Sequence, residues 1–330
     1  MLDPLLLPDA VHAAREKLRP WINSTPVHRW FTLEKSGLLP DDTHVWIKLE
    51  LFQFTNTFKP RGALNVMLNA DAAQIKNGIV AATGGNHGIA VAYAANRLGH
   101  KARIFMPHTA SPLRRQRCLD YGAEVIGCDS LGQALDLAAE LQAKENLVFV
   151  HPFEGPYTAQ GTATIADEWK HQAKTELDAV IIAVGGGGLI AGMGSYFKQV
   201  WPGIEVYGVE PTGAPTIHTA LQAGHPLRLE NIRTIADSLS APIAMPYSFA
   251  LIQKYVDDIV LLSDDDMRKG MHFLFNEMKL VAEPACAAPV AALLGPLRGR
   301  LAGKRVGILA CGSNLDIAVF AKEVFQAQLS

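Results

Sequence analysis

Two glycine-rich turns constrain this chain more than any other feature. Thr83-Gly84-Gly85-Asn86-His87-Gly88 follows the apolar run Ile79–Ala82 and leads into a helical pattern from Gly88 to Leu98. Gly185-Gly186-Gly187-Gly188-Leu189 follows Ala179–Val184 and opens a second helix. A strand that turns through glycines into a helix is half of a parallel crossover unit. The same alternation recurs at Val45–Leu49, Ala102–Met106, Glu124–Ile126, Leu147–Val150, Val206–Val209, Ile259–Leu262 and Val306–Ala310, with helical patterns between, including one that Asp9 can cap and that runs to Leu18. The pattern predicts an α/β chain of two domains, each a twisted, mostly parallel sheet flanked by helices. Residues 78–150 hold several short strand–helix units and are expected to form a small domain. His151-Pro152-Phe153 then returns the chain to a larger domain of residues 1–77 and 151–330. Open α/β sheets bind ligands at the carboxyl ends of their strands, so the site belongs in the cleft between the two.

Composition narrows the partners. Thirty basic residues stand against 32 acidic ones, a net charge of −2, which gives no surface for nucleic acid. No apolar stretch approaches the ~20 residues of a membrane helix. The opening Met1-Leu2-Asp3-Pro4-Leu5-Leu6-Leu7-Pro8 is too short and too interrupted for a signal peptide. Cys118, Cys128, Cys286 and Cys311 show no paired spacing, so reduced thiols and a cytoplasmic location are expected.

Each glycine turn suits an anion. Successive glycines let backbone N–H groups converge, and the helix N-terminus behind them favours negative charge. A carboxylate fits Thr83, Gly84, Gly85, Asn86 and His87, and a phosphate fits Gly185, Gly186, Gly187, Gly188 and Leu189. The plainer alternative for the first turn is an ordinary connection with Asn86 as a helix cap, and His87 is as readily a packed histidine as a reactive one. Lys59 lies in Asn56-Thr57-Phe58-Lys59-Pro60-Arg61-Gly62-Ala63, after the run His44–Leu49. A lysine near a strand end is ordinarily a solvated charge, yet apolar Phe58 and rigid Pro60 are an odd setting for one. A desolvated lysine sheds its proton, and the neutral amine condenses with aldehydes. One such amine and two anion turns can hold a phosphorylated aldehyde and a carboxylate substrate, which points to pyridoxal 5'-phosphate.

A rival of another class shares the second turn. Gly186, Gly188 and Ala191 satisfy the G-x-G-x-x-A form of the dinucleotide fingerprint, and Glu210 stands near the place of a ribose-binding acid. A nicotinamide-dependent oxidoreductase follows from that segment alone, but it leaves Lys59 and the first turn without a task. Two later features complete the candidate site. Glu283 precedes Pro284 at a helix start, where a carboxylate can move protons or merely complement the helix dipole. Cys311 ends the last strand, where a thiol can face a ring nitrogen or simply be a small buried residue.

Taken together, these motifs resemble the fold-type II pyridoxal-phosphate enzymes of tryptophan synthase β-like architecture, within them the serine/threonine dehydratase and serine racemase group. The resemblance runs from Thr25-Pro26-Val27 through the Lys59 motif, both turns, Thr234-Ile235-Ala236-Asp237 and Glu283-Pro284 to Cys311-Gly312-Ser313-Asn314. It implies that Lys59 carries the cofactor, Phe58 and Asn86 contact its ring, residues 185–189 hold its phosphate, residues 83–87 bind the substrate carboxylate, and Cys311 faces the pyridine nitrogen. It implies an ammonia-lyase that turns L-threonine, L-serine or a related β-hydroxy amino acid into a 2-keto acid and ammonia, with a 3-hydroxyaspartate or arylserine dehydratase, or a racemase, as alternatives. Lys59 would remove the Cα proton, and the cofactor phosphate or Glu283 would protonate the leaving hydroxyl. A homodimer is the family's habit.

The chain departs from the group in places. Gly84 stands where racemases place an acid/base serine, which argues against racemisation. Thr216 replaces an aspartate of the cation site formed with Glu210 and the carbonyl near Ala214, so no metal is expected. Ser238 follows Asp237 where the group usually has glycine, which reshapes the pocket. The chain stops soon after Asn314, from which an enzyme without a regulatory domain is expected.

Overall fold

The structure, a computed structural model, describes residues 3–327. Met1 and Leu2 of the opening stretch, and residues 328–330 at the far end, lie outside the described residues. Among the described residues ten strands form two sheets: β1 Val27–Arg29, β2 His44–Leu49, β3 Ile79–Ala82, β4 Ala102–Pro107, β5 Glu124–Cys128, β6 Val148–Phe149, β7 Ala179–Ala183, β8 Glu205–Pro211, β9 Asp258–Leu262 and β10 Arg305–Ala310. The six-stranded sheet runs β1-β2-β10-β7-β8-β9, and the four-stranded sheet runs β5-β4-β3-β6. The β1–β2 pair is antiparallel and every other pair is parallel. β3 and β7 are buried along their whole length, as apolar strands covered by helices on both faces must be.

The elements follow the expected alternation, with small shifts. Asp9 does not cap the first helix, because Pro8 occupies its first position and Leu7 precedes it. The helix expected from Gly88 begins two residues earlier, at Asn86, because Gly85 makes the turn. β5 runs on to Cys128, since Gly127 and Cys128 pair with Met106 and Pro107.

Pro60 fixes where Lys59 sits. Proline at the first position of helix Pro60–Leu68 supplies a preset φ and lacks only an N–H that would go unpaired there. Beneath it lies a buried network of four charges. Arg61 donates to both oxygens of Glu50 at 2.8 Å each and to Glu168 at 3.1 Å. Lys48 reaches Glu168 at 2.5 Å and the Thr25 carbonyl at 2.7 Å. Burial opposes charge on Glu168, but Arg61 and Lys48 overcome it and hold the carboxyl below its ordinary range. The network ties the lysine-bearing helix to the end of β2 and to helix Pro156–Gln172.

Candidate active site

A cavity of about 510 Å3 opens at the carboxyl ends of the strands of both sheets, within the range of small-molecule sites. Thr83 follows β3, Gly185 follows β7, and Cys311 follows β10, and all three line it. Lys59 lies on its wall, with its amine 2.6 Å from the Pro152 carbonyl, to which it donates. No carboxylate among the described residues pairs with that amine. Burial, opposed by the nearby Cys311, brings its pKa down to about 8. Lys48, also buried, rests on a carboxylate; Lys59 is left reactive.

The two turns present free donors. Thr83 Oγ1 accepts from Gly85 N at 2.9 Å and from Gly88 N at 3.2 Å, leaving the N–H groups of Gly84, Asn86 and His87 without a protein acceptor among the described residues. The N–H groups of Gly185 to Leu189 likewise have none, and all five residues line the cavity. Gly187 has φ of +88°, open to glycine at no steric cost. A Cβ on Gly188 would stand 2.4 Å from the Phe153 carbonyl oxygen, so only glycine lets the turn lie this close to its floor. Helices Asn86–Leu98 and Gly188–Val200 begin at these turns and add their dipoles.

Glu283 closes the third side. Its carboxylate, 2 % exposed, accepts from Asn314 N at 2.6 Å, from the Asn86 amide at 2.8 and 3.0 Å, and from the Ser238 hydroxyl at 2.9 Å. Arg114 Nη2 lies 3.5 Å away. Burial wins over these donors and lifts the carboxyl above its ordinary range. Cys311 joins the Lys59 segment directly, since Phe58 N donates to its carbonyl at 3.1 Å and Thr57 bridges Gly312. A hydrogen bond with Cys286 and burial push the Cys311 thiol well up, so it stays neutral. His87 donates Nε2–H to the Val150 carbonyl at 2.7 Å. Burial and the adjacent Lys59 bring its pKa down to about 3, so it carries no charge near neutral pH.

Phe58, Lys59, Thr83 to His87, Gly185 to Leu189, Glu283 and Cys311 therefore meet around one cavity, as the sequence motifs implied. Glu210 does not join them. Its two oxygens accept from Ile217 N at 2.9 Å and His218 N at 2.8 Å, so the acid that the dinucleotide reading assigned to a ribose caps a helix instead. Thr216 donates its hydroxyl to the Ala241 carbonyl at 2.6 Å. Arg114 escaped the sequence reading. It is buried, donates Nε to the Asn314 carbonyl at 2.7 Å, and pairs with Asp237. In Arg114-Arg115-Gln116-Arg117 it looks like part of a solvated charge run, and no local signal sets it apart.

With this geometry in hand, comparison with known proteins is decisive. Residues 18–312 match the family described as pyridoxal-phosphate dependent enzyme. This chain belongs to that family. As a pyridoxal-phosphate-dependent enzyme it is 44 % identical over 326 residues to a phenylserine dehydratase of Ralstonia pickettii, covering 98 % of each chain. It is 33 % identical to a serine racemase of Schizosaccharomyces pombe, covering 97 % of this chain and 98 % of that one. An L-threonine ammonia-lyase of Thermotoga maritima is 35 % identical over 88 % of this chain and 72 % of its own length. Among solved structures, the processed threonine deaminase isoform 2 of Solanum lycopersicum superposes with a TM-score of 0.90 at 29 % identity, covering 98 % of this chain and 89 % of that one. Maize serine racemase superposes with a TM-score of 0.87 at 28 % identity, covering 96 % and 98 %.

The pocket of this pyridoxal-phosphate-dependent enzyme fits the group on its own evidence. A buried amine that no carboxylate among the described residues pairs with meets the needs of an aldehyde. The five unpaired N–H groups of Gly185 to Leu189 meet those of a phosphate, and the neutral Cys311 thiol suits an unprotonated ring nitrogen.

Proposed function

We propose that this enzyme removes water and then ammonia from β-hydroxy amino acids to give 2-keto acids. One observation carries the proposal: a buried amine shares its cavity with two sets of backbone donors, and among the described residues the amine has no anionic partner and the donors have no acceptor. Bound pyridoxal phosphate supplies an electron sink for the charge left when Cα loses its proton. The chain's own residues do the rest. Lys59 would anchor the cofactor and take the Cα proton, while Phe58, Asn86 and Cys311 would line the place of its ring. The free N–H groups of Gly84, Asn86 and His87 bind the substrate carboxylate within the turn from Thr83 to His87. Gly185 to Leu189 hold the phosphate, and Glu283 is the acid nearest to hand. Residues 1–77 and 151–330 form the cofactor-binding body, and residues 78–150 close over the substrate. This division is supported by a separate four-stranded sheet that lies entirely within residues 78–150.

L-Threonine and L-serine are the substrates the family resemblance implies, and a larger arylserine is favoured by what lines the outer cavity. Pro107, Ala110, Leu131, Ile232 and Pro242 offer an apolar wall, and the relative from Ralstonia pickettii is named for phenylserine. A 3-hydroxyaspartate is disfavoured, because Arg114, the lining guanidinium, is already paired with Asp237 and faces Glu283. Racemisation is disfavoured by Gly84, which has no side chain to offer a proton. No helix among the described residues is long and apolar enough to cross a membrane, and all four cysteines are free. With the exposed Phe275, Ile317 and Phe325, these features support a cytoplasmic homodimer. A keto-acid release assay over threonine, serine, phenylserine and hydroxyaspartate, with Lys59→Ala as blank, tests the proposal. Release from none of the four would refute it.

A further inference from the structure

Ser238 lies between the two anion turns and has no part in the activity above. Its main chain abuts the second turn, where a Cβ on Gly185 would stand 2.9 Å from the Ser238 carbonyl oxygen. Its hydroxyl faces the other way, 2.9 Å from Glu283 Oε2, 3.1 Å from the Asn86 amide nitrogen and 3.3 Å from Asp237 Oδ1. Ser238 is exposed where it lines the cavity, whereas Glu283, on the wall of the same cavity, is only 2 % exposed. The other partners of the Glu283 carboxyl are the Asn314 N–H, the Asn86 amide and the Arg114 guanidinium. All three turn N–H groups toward it, which have no lone pair to accept a proton. The Ser238 hydroxyl alone among them both accepts and donates, so a proton leaving Glu283 for the cavity has one route through these contacts. Gly84 offers no rival on the first turn, since it has no side chain to carry a proton.

We propose that Glu283 and Ser238 form a proton relay that delivers a proton to the hydroxyl leaving the substrate β-carbon, which presupposes the β-elimination proposed above. The Lys59 amine takes the Cα proton, and the electron pair of that bond becomes the second Cα–Cβ bond. The Cβ–O bond breaks with its pair on oxygen, which takes the Ser238 proton and departs as water. Ser238 recovers a proton from Glu283, whose carboxylate is left held by Asn314, Asn86 and Arg114. Glu283 is later reprotonated from solvent, and Lys59 gives its proton back to solvent. Burial supports the first position of this relay, because it keeps the Glu283 carboxyl protonated to higher pH than an exposed one.

The test compares leaving groups. Hydroxyl must leave protonated, whereas chloride needs no proton. In the holoenzymes of Ser238→Ala and Ser238→Gly, kcat on β-hydroxy substrates should fall about 10²-fold or more, the usual contribution of a positioned acid. On β-chloroalanine kcat should stay within about threefold, and Ser238→Thr, which keeps the hydroxyl, should restore turnover of the β-hydroxy substrates. The cofactor-free proteins supply a second readout. A protonated-carboxyl infrared band lost in Glu283→Gln should shift in Ser238→Ala. Equal losses on both leaving groups, no loss on the hydroxyl, or an unmoved band would overturn the relay. A wild type that eliminates chloride yet releases keto acid from no β-hydroxy substrate would overturn the ammonia-lyase proposal instead.

Discussion

Arg61→Met should destabilise the chain by about 3–5 kcal/mol, the usual cost of removing one member of a buried ion pair. Four charged side chains meet beneath Lys59: Lys48 and Arg61 against Glu50 and Glu168. The wild-type set is neutral. The variant leaves it with a surplus negative charge, and Glu50, wholly buried, loses both bonds to the guanidinium. The Thr25 hydroxyl at 2.5 Å is left as its near donor. At roughly 2 °C per kcal/mol for a chain of this size, the melting temperature should fall by about 6–10 °C. Urea unfolding of the cofactor-free protein measures the loss directly. The double variant Glu50→Gln/Arg61→Met should recover much of it, because the unpaired charge is gone. A single variant within about 1 kcal/mol of wild type would refute the view that this network carries the lysine-bearing helix.

Capture of pyridoxal phosphate by the cofactor-free chain should accelerate as pH rises through about 8 and then level off, as the Lys59 amine deprotonates. The same shift gives a stability signature. The unfolded lysine keeps its proton to about 10.5 and the folded one does not, so unfolding free energy should rise from pH 8 to 10.5, less steeply in Lys59→Ala. Glu210 works in the opposite direction. Its folded pKa is raised to about 8 from 4.5, so its contribution is full below 4.5 and lost as pH climbs to 8, and Glu210→Gln should flatten that slope in urea titrations. Gly188→Ala should cost about 1–3 kcal/mol and weaken cofactor retention on dialysis, because its Cβ meets the Phe153 backbone at 2.4 Å.

How much of this could be read from the chain depends on the range of the interactions. Buried parallel strands are short apolar runs, so β3 and β7 stand out in the sequence. β1 does not, because its three residues are half-buried or exposed and pair at a sheet edge. The two turns and Lys59 announce themselves through glycine and proline, whose backbone limits are local. Lys48 passes for one residue of an apolar run, since its carboxylate partner Glu168 lies 120 positions away. Arg114 is hidden in the same way, with partners at Asp237 and Glu283 brought to it only by folding. Ser238 was visible as an oddity, but its bond to Glu283 was not.

Borohydride reduction of the holoenzyme followed by peptide mass analysis tests the central claim most directly. The reduced pyridoxyl group should appear on the peptide containing Lys59 and disappear in Lys59→Ala. A modification on another lysine, with residue 59 unmodified, would contradict the account.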